Sequence, residues 1–293
     1  MKRWLLVGLL ASVTGCDQGS ESGSPATSPA STASAPLELG PLLPENARPV
    51  GVAITPNGKR YVLDQTSGFY EVGTTARLVL NVTGLTSLEL TDVVALDDNR
   101  FAFTAENDGF LFDLRTSSFT SYFCYLPSPP SPPEGTGGAA SAGGTPATQP
   151  TTTPLSISQT LQLAGVQVKQ RTESVAYNSA TQQLFAQPRT TRLDTGEVAG
   201  AELFVFNETG GEPIRVLPMD PSYVAGGMVA LASSRLVVGS KNLIQEVSEE
   251  GALVPLLSLA ASVDITGMAR APNGEVWVLD GAGKRLLRLE AEL

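Results

Sequence analysis

The chain has 293 residues and a formal net charge of −10, with no histidine, two cysteines and few aromatics. The length suits one large domain or two small ones. The acidity excludes a phosphate-binding surface of the kind nucleic acid needs, and the lack of histidine excludes Ser-His-Asp and Cys-His catalysis and all His-ligated metals.

Met1-Lys2-Arg3 is a basic start, and Trp4 to Val13 is a mostly apolar stretch without charge. Ten residues rise about 15 Å as a helix, half of what a bilayer requires, so the pattern is a secretory signal rather than a membrane span. It ends in Val13-Thr14-Gly15-Cys16, which resembles the lipobox of bacterial lipoproteins. That resemblance implies cleavage of residues 1–15 and a lipid on Cys16. It places the chain in the cell envelope, facing the periplasm or the exterior, with membrane contact through the lipid alone. Asp17 resembles an inner-membrane retention signal of some envelopes, which leaves inner and outer membrane both open. Residues 17–36 contain no Val, Ile, Leu or aromatic, so residues 16–36 read as anchor and flexible tether. Twenty such residues reach on the order of 25 Å.

The body, residues 37–293, repeats. Five segments carry an alanine at the same point, Ala53, Ala95, Ala176, Ala230 and Ala269, spaced by 42, 81, 54 and 39 residues. A base period near 40 is that of a propeller blade. Each segment reads as a hairpin, with Asn57-Gly58 and Asn273-Gly274 as tight-turn signals. Third strands are expected at 69–72, 110–114, 203–207, 243–247 and 286–290. Fourth strands are expected at 77–82, 119–126, 214–217 and 253–259. The last repeat lacks a fourth strand, and Leu37–Leu43 is the spare that would complete it and leave no edge unpaired. The expectation is an all-β chain forming one five-bladed propeller, with six blades as the alternative. Cys124 has no disulfide partner once Cys16 is lipidated, and its apolar strand suggests a buried, inert thiol.

Residues 127–154 hold eight prolines, five glycines and one charge, with no Val, Ile, Leu, Met or aromatic, so they read as a disordered insertion rather than a blade. Leu155–Arg171 regains alternation, as an extra hairpin or as a competitor for the outer-strand place of 119–126. The insertion and the long turn Gln187–Ala201 belong to the third repeat and should open on one face. That face, carrying 127–170 and 187–201, is the expected site for a protein or small-molecule partner.

Thr-Pro-Asn-Gly-Lys-Arg-Tyr-Val-Leu-Asp (55–64) and Ala-Pro-Asn-Gly-Glu-Val-Trp-Val-Leu-Asp (271–280) resemble NHL-type repeats, also found in gluconolactonase-like propellers. Such propellers hold a divalent ion at the channel with a Glu, an Asn and an Asp. Here the residues just before the first strands are Val50, Asp92, Glu173, Gly227 and Thr266, with Asp264 nearby. Asp92, Glu173 and Asp264 are therefore the candidate ligands for a hard cation such as Ca²⁺, and no Asn equivalent is identifiable. No other cofactor and no catalytic residue is indicated. Two readings follow: a binding or scaffold module of the envelope, or a metal-dependent hydrolase of lactones or related esters.

Overall fold

The computed structural model describes residues 35–83, 89–106, 108–124, 156–231, 235–289 and 293. The signal segment, Cys16, most of the tether and the insertion at 127–154 lie outside the described residues. So does the side chain of Cys124, whose backbone pairs with Asp108 in a strand.

Five four-stranded antiparallel sheets form a ring, a five-bladed propeller. Blade one comprises β2 (Pro49–Ile54), β3 (Arg60–Asp64), β4 (Gly68–Val72) and β5 (Ala76–Asn81). Blade two comprises β6 (Asp92–Ala95), β7 (Arg100–Thr104), β8 (Asp108–Asp113) and β9 (Ser118–Cys124). Blade three comprises β10 (Val168–Asn178), β11 (Gln183–Arg192), β12 (Val198–Asn207) and β13 (Arg215–Met219). Blade four comprises β14 (Gly227–Ala230), β15 (Leu236–Ser240), β16 (Leu243–Val247) and β17 (Leu253–Ser258). Blade five comprises β18 (Ile265–Arg270), β19 (Val276–Asp280) and β20 (Arg285–Arg288), and its outermost strand is β1 (Leu37–Glu38), from the other end of the described chain.

The expected closure is present but shorter than Leu37–Leu43. Only Leu37 and Glu38 pair, with Leu286 and Arg285. The chain then turns, and Leu39 and Leu43 bury themselves against Leu279 and Leu286. Apolar burial replaces the missing rungs.

The core is distributed, one cluster between each pair of neighbouring blades. Blades one and two share an aromatic cluster in which Tyr61, Phe69, Phe101 and Phe103 meet at centroid separations of 4.9 to 5.2 Å. Such offset and edge-on contacts add to the area term. Blades four and five share an aliphatic cluster built on Val237, Ile244, Val278 and Met268.

The two close repeats turn alike. Gly58 N–H donates to Thr55 and Gly274 N–H donates to Ala271. Pro56 and Pro272 hold the position that suits their fixed φ, and Gly58 and Gly274 take φ of +81° and +91°. Asn57 and Asn273 stay at negative φ, so the glycine alone carries the left-handed residue.

Two expectations are corrected. Leu155–Arg171 is no hairpin: Ile157–Leu163 forms α1, and β10 begins at Val168. Gln187–Ala201 is not a long turn. It is the extension of β11 and β12, which pair through Thr190–Gly200 and Thr191–Val198 around a short turn.

Candidate functional site

The starts of the inner strands are packed shut. Asp92 begins β6 and is 1% exposed. Its Oδ2 accepts from the Ser174 hydroxyl at 2.7 Å and from Val175 N–H at 3.0 Å, and its Oδ1 accepts from Val93 N–H at 2.8 Å. The carboxyl thus ties blade two to blade three. A Cβ on Gly51 would lie 2.7 Å from Asp92 Oδ1 and 2.9 Å from Val93 N, so only glycine admits this carboxyl between β2 and β6. Burial pushes the Asp92 carboxyl up to about 8, against the opposing pull of its three hydrogen bonds.

Glu173 stands on a bulge of β10 that shifts the register between Thr172 and Ser174. Its carboxylate is held by Arg189 at 2.9 Å and Arg171 at 3.3 Å, and Arg171 also meets Glu89 at 3.1 Å. Asp264 is exposed, and its N–H donates to Asp280 at 3.1 Å. Among the described residues no three His, Cys, Asp or Glu side chains stand together as a metal-holding group. Asp92 and Glu173 are spent on protein donors. A hard cation takes six to eight oxygens, waters and backbone carbonyls among them, and at Asp92 and Glu173 it would compete with these donors.

Two other aspartates, the last residues of the repeat signature, do structural work that the sequence reading passed over. Asp64 and Asp280 are both fully buried. Asp64 accepts from the N–H groups of Arg48 and Ser67 and from the Thr66 and Ser67 hydroxyls. Asp280 accepts from the N–H groups of Asp264 and Gly283 and pairs with Arg285 at 2.9 Å. The shared Val-Leu-Asp ending was the signal: a short acceptor ending a strand caps the turn that follows.

The same face carries an arm. β10, β11 and β12 run 11, 10 and 10 residues, whereas β6 and β14 run four. About five extra residues at roughly 3.3 Å each lift the arm on the order of 17 Å beyond the ring. α1 lies against it. Ser156 caps α1 by accepting from Gln159 N–H at 3.2 Å, and Gln159 Oε1 accepts from Ser156 N–H at 2.9 Å. Ile157 N–H donates to Glu202 at 2.9 Å, and Ile157 packs on Gly200, where a Cβ would meet it at 2.2 Å. Burial raises the Glu202 carboxyl to about 7. Leu163, Leu193 and Val198 are 73%, 58% and 37% exposed, three of the seven exposed large apolar residues among those described.

The channel opens on the opposite face. All five repeat alanines line a narrow throat of about 60 Å³. Above it lies a cavity of about 340 Å³ to which every blade contributes, including Pro56, Leu96, Ser179, Leu231 and Pro272. These are residues of the turns between first and second strands. Among the described residues Arg270 is the sole charged one lining it. Tyr177 also lines it, its phenol pushed up to about 12 by burial and by neighbouring Glu208. An adjoining groove shares Ile54, Pro56, Ala271 and Pro272 with the cavity and is walled by Trp277, over which the Arg60 guanidinium sits at 5.1 Å.

No protein-family model matches the chain, and no curated protein matches it in sequence. Among solved structures it is similar to a gluconolactonase from Xanthomonas campestris, at 9% identity and a TM-score of 0.46 over 82% of this chain and 71% of that one. It is also similar to a streptogramin B lyase, at 10% identity and a TM-score of 0.40 over 87% of this chain and 96% of that one. A virginiamycin B lyase from Staphylococcus aureus gives 11% identity and a TM-score of 0.38 over 84% and 67%. At these scores no residue role carries across, and the propeller assignment rests on the sheets themselves.

Proposed function

We propose that the chain is a lipid-anchored, extracytoplasmic binding module of the bacterial cell envelope, which engages its partner on the face that carries 127–170 and 187–201. The observation that supports this reading is the arm of blade three. It breaks the pattern of the ring, and it presents Leu163, Leu193 and Val198 to solvent without burying them in the ring's own core. The Val13-Thr14-Gly15-Cys16 run supports the anchor. The donors already engaged by Asp92 and Glu173 favour this reading over that of a metal-dependent hydrolase.

The test compares capture from envelope extracts by the parent chain and by the triple variant Leu163→Ser, Leu193→Ser, Val198→Ser. The expected result is loss of the captured partner at an unchanged melting temperature, since exposed substitutions leave stability within about 0.5 kcal/mol. Equal capture by both chains overturns the binding role of the arm. Cys16→Ser is expected to leave the membrane fraction; its retention there overturns the anchor.

A further inference from the structure

The chain carries 29 acidic residues against 19 basic ones, yet among the described residues no Asp or Glu lines the axial cavity. Most arginines are neutralised within the fold. Arg77, Arg100, Arg115, Arg171, Arg189, Arg192, Arg235, Arg285 and Arg288 pair with carboxylates, and Arg60 covers Trp277. Arg270 ends β18 at the cavity and has no ion pair or hydrogen bond from its guanidinium among the described residues. Arg270 is therefore the one unpaired charge among the described lining residues, while Glu208, beside Tyr177, is held by Arg100. Around the arginine, Ile54, Ala95, Leu96, Leu231 and Pro272 supply apolar walls.

We propose that this cavity binds a small organic carboxylate: an anionic head on Arg270 and an apolar body against the turns of the five blades. Arg270 is exposed at the cavity; its guanidinium offers a planar fork of donors that matches a carboxylate, and the apolar turns give an organic body a surface to cover. The cavity of about 340 Å³ limits the ligand to a compact body such as one aromatic ring or a short branched chain. The proposal rests on the reading of the propeller as a binding module but places a second site on the face away from the arm.

Benzoate, isosteric neutral benzamide and inorganic phosphate are the probes, titrated by calorimetry into the mature chain. Fluorescence of Trp277, in the adjoining groove, is a second readout. Saturable binding of benzoate is expected, with benzamide weaker by roughly tenfold or more, the worth of a charge-assisted hydrogen bond. Phosphate, a charge without a body, should also bind more weakly. Arg270→Gln should lose benzoate by a similar factor, and Arg215→Gln, on the outer rim, should not. Equal binding of benzoate and benzamide, unchanged affinity in Arg270→Gln, or no saturable binding of benzoate overturns the proposal. The arm triple variant should bind benzoate as the parent does, so failure of the arm and failure of the cavity are read separately.

Discussion

Asp92 is a carboxyl placed where the fold leaves it no water. Its position at the head of β6 was legible, because the repeat alanine fixes the count along the strand. Its burial was not, because that depends on Gly51 of the neighbouring blade and Ser174 of the next, contacts with no local signature. The consequence is a pH dependence of defined sign. The folded carboxyl titrates at about 8, above the ordinary value near 4, so its contribution is full below about pH 4 and is lost as pH rises through 8. Glu202, raised to about 7, acts in the same direction. Urea unfolding at about pH 5 and about pH 8.5 should therefore show a fall in stability, smaller by more than about 1 kcal/mol in Asp92→Asn. An identical fall in both chains would show that Asp92 does not titrate in this range. Asp92→Ala should cost about 1–3 kcal/mol at about pH 5, because Val93 and Val175 N–H groups and the Ser174 hydroxyl lose their acceptor, and less at about pH 8.5, where the parent has lost the contribution of the protonated carboxyl. Calcium should raise the melting temperature of none of these chains. A calcium-dependent rise in the parent, on the scale of about 2.7 kcal/mol at a hundredfold excess over Kd, would restore the cation site.

At the scale of elements, the strands were legible and the helix was not. Period-two alternation and turn residues placed the four-stranded blades within a few residues, because each strand buries one face against the next blade. In 155–171 the apolar residues Ile157, Leu161 and Leu163 fit a strand and a helix equally over so short a span. The deciding signal was polar: Ser156 and Gln159 at capping-box spacing. Gly200 gave no local clue either, since its small size is explained only by Ile157 packing on it from 43 residues away. Ser156→Ala removes one half of the box and should cost α1 about 1 kcal/mol. Amide exchange across 157–163 should then quicken roughly fivefold while the melting temperature of the propeller stays put, because α1 is no part of an inter-blade cluster. Unchanged exchange would mean that the Glu202 contact and the packing of Ile157 alone hold the helix.

For the whole molecule the decisive event is closure. Blade five would stop one strand short, at β20, unless the two ends of the ring shared it, and β1 supplies its outer strand with only two paired residues. So short a ladder is a weak clasp in hydrogen bonds. The weight falls on Leu39 and Leu43, which are 0% and 6% exposed among Val52, Val62, Leu279 and Leu286, at the seam between blades five and one. Three chains separate the ladder from the plug. Removal of 17–34 leaves both and should melt as the parent does. Leu39→Ala keeps the ladder but hollows the plug, at a cost of about 2–5 kcal/mol. Removal of 17–44 takes away both, opens the edge of β20, and should destabilise the ring further and promote association through that edge. If the two truncations melt alike, the ring is held by its five inter-blade clusters and the N-terminal strand is dispensable. If Leu39→Ala falls as far as the longer truncation, the plug rather than the ladder closes the propeller.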